Sequence, residues 1–249
     1  MRLDYTDIPA LRQLWKRAFG DENGFLDLFF GKGFSPERSL CIRRGVDIAA
    51  ALYWFDCDYR GKKYAYLYGV ATHPNYRNQG LCRMLVDKTH AVLRDRGYEG
   101  SLLVPQKPSL RQMYEKMGYR TCSFVSEFVC AAGEVSTRIR SIAPEEYAAL
   151  RRAYLPEGGV IQEGENITFL AAQMELYAGE DFLLAAYREG QTLHAAELLG
   201  NREAASGILK ALGFSKGFFR TTGEDQPFAM FTPLAEGAQA PSYFGLAFD

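Results

Sequence analysis

"ATHPNYRNQGLCRMLV", residues Ala71–Val86, joins an aromatic-rich apolar run to a helical pattern through a short polar loop. On the helical side Leu81, Leu85 and Val92 recur at helical spacing, with Met84 and Thr89 beside them, so a helix is expected to begin near Gly80. The first N–H groups of such a helix have no intrahelical partner and sit at the positive end of its dipole, which favours an anion there. Gly80 lets a phosphate approach the backbone with no Cβ in the way. Arg77 adds a charged fork of donors that matches phosphate oxygens. On chemistry alone the same residues equally describe a strand–loop–helix joint with a solvated arginine.

Outward from this loop, strands are expected at 39–44, 47–58 and 63–72, the last with Tyr64, Tyr66 and Tyr68 on one face. Helices are expected at 7–19, 23–31, 80–96 and 109–117, with further strands at 100–104 and 119–131. Strands interleaved with helices in this way predict an α/β fold with a mixed, mostly antiparallel central sheet flanked by helices.

The second half of the chain echoes the first. Arg2–Phe19 and Arg138–Leu155 both read as a short strand, a capped start and an amphipathic helix. Leu40–Trp54 and Phe182–Leu199 each read as a strand, a tight charged glycine turn and another strand, and Tyr114–Thr121 and Leu209–Lys216 both end a helix on glycine. Three echoes in one order argue for a duplication, with a first domain at 1–133 and a smaller second domain at 134–249. The second domain passes from Gly200 straight into "REAASGILKAL" with no counterpart of Tyr64–Leu103, so a binding loop would exist only in the first.

Composition narrows the function. With 47% hydrophobic residues the chain can bury a large core, and no run approaches the roughly 18 apolar residues of a membrane helix. The N-terminus carries acidic residues where a signal peptide needs an apolar stretch, so a cytosolic location without membrane partners is expected. Five cysteines form no CxxC pair, and His73, His90 and His194 lie far apart, so no metal is expected. Residues 1–133 carry 20 basic and 14 acidic side chains, and residues 134–249 carry 9 and 16. The basic residues form no stripe, which argues against nucleic acid. The acidic second half suits a cationic acceptor, or simply the attraction of two halves.

"VATHPNYRNQGLC" resembles the acyl-CoA loop of the GNAT superfamily of N-acetyltransferases: a strand, then Arg or Gln, two residues, Gly, one residue, and Gly or Ala. Arg77, Gly80 and Cys82 stand at the three key places, Cys82 departing from the usual smaller residue. "MYEKMGY" (Met113–Tyr119) resembles the superfamily's Tyr-x-x-x-Gly-aromatic segment. The resemblance implies acetyl-CoA as co-substrate. The backbone of Val70, Ala71 and Thr72 would lie along its pantetheine arm, and Arg77, Asn78, Gln79, Gly80, Leu81 and Cys82 would surround its pyrophosphate. It further implies transfer of an acetyl group to a primary amine of a small molecule or peptide, by a monomer or homodimer. A non-catalytic acyl-CoA-binding or sensor module is the alternative.

For the chemistry, an amine attacking a thioester needs alignment, a donor for the oxyanion near Val70 or Ala71, and an acid for the leaving thiolate. Tyr114 is the acid the resemblance implies, although Leu110, Met113, Tyr114 and Met117 also form a core-like stripe. The base is open among Asp56, Asp58, Glu127 and His73, each of which also has a structural reading. The apolar end "YFGLAFD" (Tyr243–Asp249) is expected to pack inward and carry the carboxylates of Asp249 with it. In this the chain resembles tandem acetyltransferases of the enhanced-intracellular-survival type, which pair a tyrosine acid with a terminal carboxylate.

Overall fold

The computed structural model describes residues 3–248. Asp4 and Asp7 close a capping box around a 3-10 turn at Tyr5–Asp7, which runs into α1 (Ile8–Phe19). Gly20, left-handed, stops α1, and α2 (Asn23–Leu28) widens into a π-turn at Phe29–Gly33. Then come β1 (Ser39–Arg44), β2 (Asp47–Tyr59) and β3 (Lys62–Thr72), paired antiparallel in that order. The quoted loop leads into α3 (Leu81–Asp95), which returns the chain to β4 (Gly100–Leu103), parallel to β3. α4 (Pro108–Glu115) follows, then β5 (Arg120–Thr121) and β6 (Phe124–Ala131).

The second half repeats the plan with β7 (Arg140–Ser141), α5 (Pro144–Tyr154), α6 (Glu165–Ala171), β8 (Glu175–Ala178), β9 (Phe182–Glu189) and β10 (Thr192–Gly200). A 3-10 turn and the short α7 (Ala205–Leu212) replace the long loop and α3, and β11 (Lys216–Thr222) runs parallel to β10. β12 (Gln226–Pro227) and β13 (Met230–Pro233) close the list. The echo at the helix starts is incomplete: the strand β7 precedes α5 where a capped 3-10 turn precedes α1, while both helices lack a side-chain cap of their own and carry proline in the first turn, where its missing N–H costs nothing.

The two sheets exchange strands across residue 133. The first runs β1-β2-β3-β4-β13-β5 and the second β12-β6-β11-β10-β9-β8-β7. β6, expected to finish the first sheet, pairs with β11 from Lys216↔Ala131 to Thr222↔Val125, while β13 comes back to pair with β4. Each half therefore supplies the strand beside the other's parallel pair, and neither β4 nor β11 is left as an open edge.

Alternation along the strands sorts the core. Tyr53, Phe55, Tyr64 and Tyr66 face α1, α2, α5 and α6 in one apolar core that spans both halves. Leu52, Trp54, Ala65 and Leu67 face α3 and α4 in a second. The helix at the quoted stretch buries Leu81, Leu85, Val86, Thr89, His90 and Leu93, and leaves Met84 40% exposed on its outer side. Trp15 gathers Phe19, Phe25, Phe29, Phe30, Tyr53 and Tyr68 within 6.3 Å, centroid to centroid. The buried rings among these, Trp15, Phe29, Phe30 and Tyr53, each stabilise the fold by roughly 2–3 kcal/mol.

Candidate active site

β3 and β4 pair only at Tyr64↔Gly100, Ala65↔Ser101 and Tyr66↔Leu102, and beyond that they splay. On its other edge β3 slips register against β2 between Tyr68 and Ala71, so Gly69 and Val70 form a bulge. Gly69 is there for two reasons: its φ is +58°, and a Cβ would come within 2.6 Å of the Trp15 ring. The splay opens a cavity of about 270 Å³. Tyr66–Val70 form one wall, Leu103–Lys107 the other, and Leu110 with Tyr114 the side. Trp15, Phe19, Asp21 and Phe248 stand at the remaining end.

The loop places left-handed backbone and a glycine at the start of α3. Gly80 (φ +73°) is the N-cap of α3 and Asn78 is also left-handed (φ +61°). Among the described residues the amides of Asn78 through Arg83 have no backbone acceptor, the first helical bond being Met84 N–H to Gly80 O. The donor set thus points outward, and it is what an anion at a helix N-terminus requires. Arg77 is exposed and rests its Nε on Thr72 O at 3.3 Å, while Gln79 reaches back to Asn75 O. Leu81 is buried in the core and supplies only backbone. Cys82 is half-buried against the same core, and burial pushes its thiol up to about 11, so it is an inert small side chain here. Val70 lines the cavity; Ala71 and Thr72 are held to Ala51 and Ala50 of β2.

Tyr114 sits on α4, 6% exposed, against Tyr119 (ring centroids 5.8 Å). The two phenols are treated differently. Tyr119 is tied by Ser101 Oγ and His90 Nε2, both at 2.8 Å, whereas among the described residues the Tyr114 hydroxyl makes no hydrogen bond. Burial first, then Cys82 and Tyr119, hold the Tyr114 pKa well above 10, so the hydroxyl keeps its proton and remains a donor into the cavity.

The base candidates separate cleanly. Asp56 accepts from Tyr98 and pairs with Lys63 Nζ at 3.3 Å, and Asp58 Oδ1 caps Gly61 N–H; both are turn-end structural groups away from the cavity. Glu127 belongs to the second sheet and pairs with Arg220 at 3.1 Å. His73 Nδ1 accepts from Asn75 N–H and caps the 3-10 turn that opens the loop. Asp249 lies outside the described residues; Phe248, its neighbour, donates its N–H to the Tyr66 hydroxyl at 3.4 Å. One carboxylate escaped the sequence reading. Asp21 lines the cavity, with Oδ2 accepting from Trp15 Nε1 at 2.6 Å. The only signal was a carboxylate just past the glycine that ends α1, which reads equally as a helix-terminal turn. Among the described residues no group of three or more His, Cys, Asp or Glu is placed to hold a metal ion.

Residues 2–122 match the family model of the acetyltransferase (GNAT) domain. The splayed parallel pair, the loop at a helix N-terminus and the tyrosine beside it all fall within that matched segment, and residues 2–122 form an acetyltransferase (GNAT) domain. Solved structures agree in fold. A GCN5-related N-acetyltransferase from Anabaena variabilis superposes with a TM-score of 0.75 at 14% identity, over 94% of this chain and 72% of its own. One from Kribbella flavida gives 0.70 at 18%, over 94% and 71%. One from Sphaerobacter thermophilus gives 0.57 at 12%, over 99% and 97%. No curated protein sequence matches the chain.

Proposed function

We propose that the protein transfers an acetyl group from acetyl-CoA to a primary amine of a small molecule or peptide. The observation that carries this is a single cavity in which the strand splay, Tyr114 and Asp21 meet. The outward amides of Asn78–Cys82 and the Arg77 guanidinium would hold the pyrophosphate, and the edge of Val70–Thr72 the pantetheine arm. Acetyl-CoA brings the activated acyl carbon. In the transfer a C–N bond forms and the C–S bond breaks. The amine's proton leaves toward a carboxylate, that of Asp21 or of Asp249, and the thiolate takes one from Tyr114.

Asp21 set among Trp15, Phe19 and Phe248 is suited to a cation, since a carboxylate and ring faces both attract an ammonium. Free-thiol release from acetyl-CoA across a panel of amines tests the reading. Turnover with at least one amine is expected. Tight acetyl-CoA binding with no turnover on any amine would establish the sensor alternative instead, and no binding would remove both.

A further inference from the structure

Trp15 and Arg151 hold corresponding places in the two halves, as the aligned stretches Arg2–Phe19 and Arg138–Leu155 show. In the first half Trp15 packs on the bulge of the third strand and the sheet opens beside it. In the second half the corresponding strand, β10, is also bulged, with register shifts between Ala195 and Leu198 toward both neighbours. There the bulge carries Glu197, and the space is filled rather than open. Glu197 is fully buried and Arg151 is 1% exposed. Arg151 grips the carboxylate in two places, Nε to Oε2 at 2.7 Å and Nη2 to Oε1 at 3.0 Å, and sends Nη1 to Val160 O at 3.0 Å.

Two phenols complete the shell. Tyr147 donates to Oε2 at 3.2 Å and Tyr243 to Oε1 at 2.9 Å. A buried ion pair of this kind adds little net stability against an apolar equivalent, because both ions have lost their water. Its use is directional, and here the direction is Tyr243, the residue at which the chain's last segment begins. Gly245 passes so close that a Cβ there would overlap the Tyr243 hydroxyl and come within 2.9 Å of Glu197 Oε1. From this point the tail is tied at nearly every residue. Tyr243 O accepts from Val160 N–H, Phe244 exchanges two bonds with Ser123 Oγ, Leu246 O accepts from Gln162 Nε2, and Phe248 N–H reaches Tyr66. Phe248 then packs on Phe55 (4.8 Å) and Phe169 (5.1 Å) and closes the end of the cavity that holds Tyr114.

We propose that the second half serves as the holder of the chain end: the Arg151–Glu197 pair, through Tyr243, positions the tail so that Phe248 closes the acyl-transfer cavity of the first half. Glu197 and Tyr243 are positioning residues for that site. The proposal rests on the transferase reading for its kinetic consequence, but the placement of the tail stands apart from it.

The test uses Y243F in the full chain, which removes only the linking hydroxyl, together with G245A, which inserts a methyl between the tail and Glu197. Amide hydrogen exchange at Phe244 and Phe248 is expected to quicken at least about tenfold in both variants, while amides in the middle of α3 stay as in the wild type. With acetyl-CoA saturating, kcat for the amine is expected to fall about fivefold to tenfold, and KM for acetyl-CoA to stay within about twofold. In a chain shortened to end at Leu246, Y243F is expected to have no further kinetic effect. Unchanged exchange at Phe248, or a kinetic loss of equal size with and without the tail, overturns the proposal. Absence of turnover in the wild type would overturn the transferase reading, and the exchange result would then decide the anchor without it.

Discussion

Trp15 lies directly against the Cα of Gly69, with two of its ring carbons at 2.6 and 2.7 Å from where a Cβ would stand. That approach holds the bulge in β3 and so holds the splay open. G69A adds a methyl against the indole at a left-handed backbone position. It is expected to destabilise the fold by about 2–4 kcal/mol. Acetyl-CoA affinity should fall with it. A variant of wild-type stability and affinity, by chemical denaturation and titration, would detach the bulge from the cavity.

Y114F keeps the ring in its core and removes a hydroxyl that makes no hydrogen bond among the described residues. Turnover is expected to fall about a hundredfold while the acetyl-CoA dissociation constant moves by less than about twofold. Equal losses in both would make Tyr114 a packing residue.

D21N keeps the hydrogen bond from Trp15 Nε1 and removes the charge. The KM for a cationic amine is expected to rise roughly tenfold, with acetyl-CoA binding unaffected. If the rise is the same for an uncharged acceptor analogue bound as a competitive inhibitor, Asp21 is not reading charge.

His90 is 6% exposed, with Nε2 at 2.8 Å from the Tyr119 hydroxyl. Burial, and then the Arg94 charge, push its pKa from 6.5 down to about 4. The unfolded chain binds this proton more readily than the folded one. The stabilisation is therefore present above pH 6.5 and is lost as the pH falls toward about 4. Its ceiling is on the order of 3 kcal/mol. H90Q, which does not titrate, is expected to show a shallower fall in urea stability between about pH 7 and pH 5. Parallel curves for the two proteins would clear His90 of any part in acid sensitivity.

Because β6 and β13 change places, a chain ending at residue 133 keeps β6 without β11 and exposes the edge of β4. Neither 1–133 nor 134–249 alone is expected to give a cooperative thermal transition, and mixing them should restore one. A sharp transition in either fragment by itself would show that the exchanged strand is dispensable.

Local pattern carried most of the elements. The stripe of Leu81, Leu85 and their neighbours, the glycine at 80, and the alternation of Tyr64, Tyr66 and Tyr68 each act within a turn of helix or a step of strand, so they are legible without any partner. The strand–loop–helix joint was legible for the same reason, since the glycine before a helix and the apolar stripe behind it are both short-range signals.

What no local rule could carry was which segments meet. β6 follows β5 in the chain, yet its partner is β11, because a parallel pair in the other half offers an open edge. Asp21 enters the site through a hydrogen bond to Trp15 six residues away, around the end of a helix. Glu197 reads as a lone charge in an apolar strand until Arg151, 46 residues earlier in the chain, comes to meet it. Sequence determined the elements, the loop and the superfamily, because short-range sterics and hydrogen bonding decide those. Tertiary structure alone decided the exchanged strands, the carboxylate in the cavity and the anchored tail, because each depends on two surfaces that become neighbours only when both halves have folded.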